Sequence, residues 1–113
     1  MIDLFRERGA VPIIISPNPS TPASESLPSR LCHIEDIVNV INYVAIKKDA
    51  IYANCFDVIC QYMENHGVTI EELMTQEGCE SDGLHPTDRV QKIMAEHIMR
   101  TIGLTQKIPG AKW

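Results

Sequence analysis

The chain has 113 residues, enough for one small domain and too few for two. Hydrophobic residues make up 44% of the chain, a fraction that excludes wholesale disorder. The formal net charge is -5 and the ten basic residues are scattered, so no basic face is available to neutralise phosphates and we expect no nucleic-acid partner.

Targeting signals and cysteine spacing exclude further classes. The longest strongly apolar run, residues 11–15, is far shorter than the ~20 residues that span a bilayer, so we expect no membrane segment. No signal peptide is visible, and we expect the chain in the cytoplasm or in a virion. The four cysteines form no CxxC pair, which predicts free thiols, no metal site and no cofactor.

The first elements in chain order predict a helix end and a strand. Residues 1–9 are typical of the last turns of a helix, which Gly9 closes. Residues 11–16 are rich in β-branched side chains, and apolar residues on both faces predict a central strand of a parallel sheet, covered on both sides. Pro12 must then lie at the beginning of that strand.

A proline-rich loop and an amphipathic helix follow. Residues 17–29 hold four prolines and four serines, which predicts a loop that either borders a ligand site or merely connects two elements. Apolar residues at three-and-four spacing predict a helix over residues 30–48, with Ser29 as its N-cap.

The second half of the chain predicts one more strand and three helices. Residues 49–54 predict the strand, and an apolar stripe from Phe56 predicts a helix that ends at Gly67. Thr69 and Glu72 form a capping-box pattern that opens a short helix. A last amphipathic helix follows residue 86 and closes near Gly103, and we expect residues 105–113 to be a flexible tail.

Alternating helices and strands predict an α/β fold with a parallel sheet. The chain supplies only two strands, and two parallel strands do not make a stable sheet that has helices on both faces. We therefore expect other strands to come from a missing segment or from a partner chain.

The sharpest local signal is Asp82-Gly83-Leu84-His85-Pro86, directly before the last helix. A carboxylate three residues before a histidine can turn back to accept the imidazole Nδ1–H. That contact fixes the tautomer and leaves Nε2 free to take a proton from a nucleophile. By contrast, His33 and His66 have no partner at a useful spacing.

This block is similar to the final sequence block of the SGNH/GDSL hydrolases, including their carbohydrate O-acetylesterases. Residues 11–17 resemble the family's fourth strand and the loop after it, and residues 52–58 resemble the segment that reaches its fifth strand and the following helix. The resemblance implies that residues 1–104 are the C-terminal portion of a three-layer α/β/α sandwich of flavodoxin type, incomplete by itself. It also implies part of a serine esterase acting on an ester or an acetylated carbohydrate, with Asp82 as the orienting acid and His85 as the general base.

The family's Gly-Asp-Ser block, which carries the nucleophile, has no counterpart in this chain. The resemblance therefore implies a missing N-terminal segment or a partner chain that contains such a block, and we expect no esterase activity from this chain alone. Its own hydroxyls and thiols are poor substitutes: Ser16 lacks the exposed elbow of a nucleophile, Ser81 adjoins Asp82, and Cys79 is more typical of a surface thiol.

Two other hypotheses stay open at this point. The chain could be a non-catalytic assembly or carbohydrate-binding domain on a degenerate hydrolase scaffold. It could also be a small helical interaction module unrelated to hydrolases, and that hypothesis predicts that the side chains of Asp82 and His85 lie far apart.

Overall fold

The computed structural model describes residues 1–103, which form a mixed α/β structure with six helices and two strands. Residue 104 and the predicted tail, residues 105–113, lie outside the described residues. No helix within residues 1–103 combines the length and the apolar character needed to cross a membrane. In chain order the elements are α1 (Ile2–Glu7), β1 (Ile13–Ile15), α2 (Pro22–Glu25), α3 (Ile34–Lys47), β2 (Ile51–Ala53), α4 (Cys55–His66), α5 (Ile70–Leu73) and α6 (Asp88–Thr101).

The two strands pair in parallel, as predicted. Ile13 lies opposite Ile51 and Ile15 lies opposite Ala53, and the intervening chain carries α3 as the crossover. Within residues 1–103 each strand has a single neighbour. The parallel sheet is therefore confirmed, while the three-layer sandwich stays a prediction.

The first strand was predicted to be covered on both sides, but within residues 1–103 one of its faces is partly open. Ile13 is 39% exposed, Ile15 is 43% exposed and their neighbour Ile51 is 41% exposed. A run of β-branched residues is typical of a strand covered on both faces and also of a strand with one open face. In both cases consecutive side chains alternate between the two faces of the sheet, so the run does not distinguish them. Whether another layer lies over the sheet is a tertiary property that the run does not encode.

The structure corrects the start of α3. The helix begins at Ile34 with His33 as its N-cap, not at residue 30 with Ser29 as the cap. The Glu25 carboxylate accepts a hydrogen bond of 3.3 Å from the Ile34 backbone N–H. A carboxylate from a neighbouring turn thus satisfies one of the first N–H groups of α3, which a reading of local caps could not reveal.

The predicted loop of residues 17–29 contains one helical turn, α2. Thr21 is its N-cap, and the Thr21 side chain accepts a hydrogen bond of 3.3 Å from the Ser24 backbone N–H. Proline at the first helical position is pre-shaped for a helix start. Thr21 followed by Pro22 is therefore a typical helix start, but the high proline content of residues 17–29 led to the prediction of a loop.

The main core lies between α4, α5 and α6. Its fully buried members are Ile59 of α4, Leu73 at the end of α5, Met74 directly after α5, and Val90 of α6. This packing anchors the end of α5 and the start of α6 to α4, and it leaves residues 75–87 as a loop between two fixed points. The Asp82-to-Pro86 block lies in that loop.

The capping box of α5 is present as predicted, and it gives a first testable prediction. Thr69 Oγ1 accepts the Glu72 backbone N–H at 3.2 Å, and the Glu72 carboxylate accepts the Thr69 backbone N–H at 2.7 Å. We expect Thr69→Ala to lower the free energy of unfolding by about 1 kcal/mol in urea denaturation, because an N–H of the first turn loses its partner. Thr69→Ser keeps the hydroxyl and should retain most of the stability; equal losses in both variants would contradict a capping role.

Candidate active site

Asp82 and His85 are hydrogen bonded through their side chains. Asp82 Oδ2 lies 2.5 Å from His85 Nδ1, and Asp82 Oδ1 accepts the backbone N–H groups of Leu84 at 2.9 Å and His85 at 2.8 Å. Both carboxylate oxygens therefore act within one tight turn. The contact contradicts the hypothesis of an unrelated helical module, which required these side chains to lie apart.

The imidazole of His85 projects from this turn toward solvent. Its side chain is 80% exposed, and no group within residues 1–103 hydrogen bonds to its Nε2. With Nδ1 engaged by the carboxylate, Nε2 is the ring nitrogen that can accept a proton from a hydroxyl. This is the geometry that a histidine base needs before its nucleophile arrives.

Hydrogen bonding holds the pKa of the Asp82 carboxyl far below its ordinary value of 3.8. The largest cause is the His85 backbone N–H, followed by the Leu84 backbone N–H and then the His85 side chain. Each of these donors stabilises the ionised carboxylate. A carboxylate that stays ionised in acid can orient the imidazole over a wide pH range.

This order of causes gives a second testable prediction. In a pH titration followed by the ¹³C shift of its carboxyl carbon, we expect Asp82 to stay ionised well below pH 3.8. Since the folded pKa is the lower one, the stabilisation is present above the unfolded pKa and is lost as the pH falls through the folded pKa. His85→Ala keeps both backbone donors and should keep most of the depression; a return to the ordinary value would show that the imidazole dominates.

Residues after β1 hold the turn in place. The Asn18 side-chain amide donates to the Leu84 carbonyl at 3.1 Å, and the Thr21 backbone N–H donates to the Gly83 carbonyl at 2.9 Å. Gly83 has φ +68°, and a Cβ at this position would overlap the Thr21 hydroxyl. Sequence analysis missed Asn18 and Thr21, although polar residues at the carboxyl end of a parallel strand are a recognised signal for a ligand edge.

None of the hydroxyls that the sequence offered as nucleophiles approaches His85 through a hydrogen bond. Ser16 is 1% exposed, donates to Asn54 Oδ1 at 3.2 Å and accepts the Phe56 backbone N–H at 2.9 Å, so it ties together the ends of the two strands. The Ser81 hydroxyl donates to the Met74 carbonyl. The hydroxyls of Ser16 and Ser81 are thus engaged in structural hydrogen bonds.

The structure corrects the interpretation of His33 as a histidine without a partner. His33 Nδ1 lies 3.1 Å from Glu25 Oε2, and the Ser20 hydroxyl donates to the other oxygen of Glu25. The pair joins the last residue of α2 to the N-cap of α3, eight positions apart, a spacing at which sequence gives no contact signal. It has the same Nδ1–carboxylate pairing as His85, which makes His33 a matched control for the experiments below.

A cleft of about 430 Å³ lies beside His85. Its walls come from the end of α5, the loop that follows and the first turn of α6. The residues that line it include Met74, Cys79, Glu80, Asp82, Pro86 and Asp88. This His85 cleft is large enough for a small organic group. The exposed Cys79 thiol and the His85 imidazole both line this cleft.

Within residues 1–103 no cluster of three or more histidine, cysteine or acidic side chains could hold a metal ion. All four cysteines are free thiols, as predicted, and Cys55 is fully buried. Burial raises the pKa of the Cys55 thiol, which keeps it protonated and unreactive.

Comparison of the chain with protein-family models, with curated proteins and with solved structures found no match.

Proposed function

We propose that this chain supplies the general base and the orienting acid of a serine ester hydrolase, and that another segment or a partner chain supplies the nucleophilic serine. The observation that carries the proposal is the 2.5 Å contact between Asp82 Oδ2 and His85 Nδ1. A carboxylate on Nδ1 sets the tautomer in which Nε2 is the acceptor, and it stabilises the imidazolium that forms when Nε2 takes a proton.

The reaction follows from that arrangement. His85 Nε2 removes the serine proton as the serine oxygen attacks the ester carbonyl, and it returns the proton to the departing alcohol. Water then attacks the acyl-enzyme with the same histidine as base, which releases the acid and restores the serine. The resemblance of the Asp82-to-Pro86 block to the SGNH/GDSL hydrolases suggests an acetylated carbohydrate as the substrate.

The unfinished sheet supports the requirement for a second component. Two short parallel strands form a marginal sheet by themselves. Ile13, Ile15 and Ile51 leave about two-fifths of their surface exposed, although burial of apolar area is the main source of folding free energy. A segment that adds strands beside these two and an element over the open face would cover these side chains, complete the sandwich and bring its own loops to the edge where His85 lies.

The second candidate is a non-catalytic assembly or carbohydrate-binding domain on a degenerate hydrolase scaffold. The observation that favours it is the engagement of the serine hydroxyls: within residues 1–103 none is hydrogen bonded to His85, and Ser16, Ser20 and Ser81 bond elsewhere. In this case Asp82 and His85 would shape a loop and would carry no chemistry.

Labelling with a fluorophosphonate, which reacts with activated serines, separates the two candidates. The native protein is purified with its associated chains, labelled and mapped by mass spectrometry. We expect the label on a serine outside this chain, no label on the isolated chain, and loss of the label in the His85→Ala assembly. An unlabelled assembly would favour the non-catalytic domain, and a label within this chain would contradict a nucleophile from elsewhere.

A further inference from the structure

The His85 cleft has a strongly one-sided charge. Glu80, Asp82 and Asp88 contribute carboxylates to its lining, and none of the described residues that line it is a lysine or an arginine. Carboxylates of this kind carry a negative charge at neutral pH. The whole chain is also acidic, with a formal net charge of -5.

The three carboxylates differ in how far they are already engaged. Asp82 accepts three hydrogen bonds in its turn, one from the Leu84 backbone N–H and two from His85. Asp88 accepts one hydrogen bond of 3.2 Å from the neutral Gln76 amide, which leaves its charge uncancelled. Glu80 is exposed, and no described basic side chain forms an ion pair with it. Asp82 is held against His85, and Glu80 and Asp88 are therefore the two carboxylates that a ligand beside the imidazole can approach.

We infer that the His85 cleft binds the alcohol part of the ester and selects an alcohol that carries an ammonium group, such as an amino sugar or an amino alcohol, over an anionic one. This inference rests on the proposed function. The cleft is the space into which the alcohol can extend when the ester carbonyl lies over His85. Met74 and Pro86 provide apolar wall for carbon groups, while Glu80 and Asp88 attract the cation.

Coulomb's law gives the size of the preference. A unit positive charge about 7 Å from one carboxylate in a water-like medium gains roughly a threefold increase in binding constant. Two uncancelled carboxylates therefore give about tenfold over a neutral group of the same shape, and an anion loses a comparable factor. These factors should shrink as salt screens the exposed charges.

A series of three acetate esters of similar size tests the inference on the chain as it stands: acetylcholine, its neutral carbon isostere 3,3-dimethylbutyl acetate, and the anionic 2-acetoxyethanesulfonate. Binding is followed by NMR shifts of the His85 ring and the Cys79 amide. At about 0.01 M salt we expect acetylcholine to bind about tenfold more tightly than the isostere and the sulfonate to bind most weakly. Raising the salt to about 0.15 M should narrow the differences.

Glu80→Gln and Glu77→Gln provide a matched pair of variants. Both remove one negative charge from the same exposed loop, but Glu77 does not line the cleft. We expect Glu80→Gln to weaken acetylcholine binding about threefold while Glu77→Gln leaves it nearly unchanged. Equal effects would show that only the overall charge acts, which overturns selection by the cleft.

Two further results overturn the inference without touching the proposed function. Equal binding of the three esters would show that the affinity of the cleft does not depend on the charge of the alcohol. Absence of any shift at His85 and Cys79 would show that the alcohol does not lie in this cleft. The proposed function is judged separately, by serine labelling of the assembly.

Discussion

Replacing His85 with alanine should lower kcat/KM for p-nitrophenyl acetate, measured on the serine-bearing assembly, by about a thousandfold or more. Without the imidazole, no group takes the serine proton as attack proceeds, and none activates the water that hydrolyses the acyl-enzyme. A thousandfold loss corresponds to about 4 kcal/mol of transition-state stabilisation. Asp82→Asn should cause a loss of similar order, since the neutral amide no longer stabilises the imidazolium through Nδ1.

His33→Ala is the control for this prediction. His33 is also exposed and also pairs through Nδ1 with a carboxylate, that of Glu25 at 3.1 Å, but it lies in another part of the fold. We expect its removal to leave kcat/KM within about a factor of two. If His85→Ala and His33→Ala have the same small effect, the pair at residues 82 and 85 takes no part in catalysis and the proposed function is wrong.

Gly83→Ala should lower the free energy of unfolding by about 2–4 kcal/mol. Part of the loss is backbone strain, because Gly83 has φ +68°, a conformation that costs an L-residue with a side chain roughly 1–2 kcal/mol. The rest is overlap of the new Cβ with the Thr21 hydroxyl, in a contact where Thr21 Cβ would be only 3.1 Å away. The overlap would also push the Asp82–His85 turn away from the residues after β1.

Gly78→Ala separates the two contributions. Gly78 lies in the same loop with φ +79°, and a Cβ added there meets nothing within 4 Å. We expect this variant to lose only the strain, about 1–2 kcal/mol, in urea denaturation carried out side by side with Gly83→Ala. If the two variants lose the same amount, Thr21 moves aside freely and the hydrogen bond from its N–H to Gly83 does not fix the turn.

The contacts that sequence analysis anticipated are short in range. The capping box of Thr69 and Glu72 and the pairing of Asp82 with His85 each join residues three positions apart. At that separation the backbone geometry alone brings the groups together, so the residue types suffice for a prediction. The αL glycine that ends α4, Gly67, belongs to the same class of local signal.

The features that sequence analysis missed join residues far apart. Glu25, at the end of the unpredicted helix α2, contacts His33 and Ile34. These contacts lie at the start of α3, which is four residues later than predicted. Asn18 and Thr21 hold the Asp82–His85 turn from more than sixty positions away. No periodicity or cap pattern encodes such pairs, because they exist only once the strands have brought the loops to one edge of the sheet.

By itself the sequence determined the helices other than α2 and both strands within a few residues, the parallel direction of the sheet, and the turn in which a carboxylate faces an imidazole. These follow from side-chain periodicity and from bonds between near neighbours, which the chain forms wherever it lies. Only the tertiary structure decided that one apolar side of the sheet is open within residues 1–103, that Ser16, Ser20 and Ser81 bond to groups other than His85, and that an acidic cleft adjoins His85. Those properties depend on which distant surfaces meet, and burial and charge are set by the sum of all such neighbours.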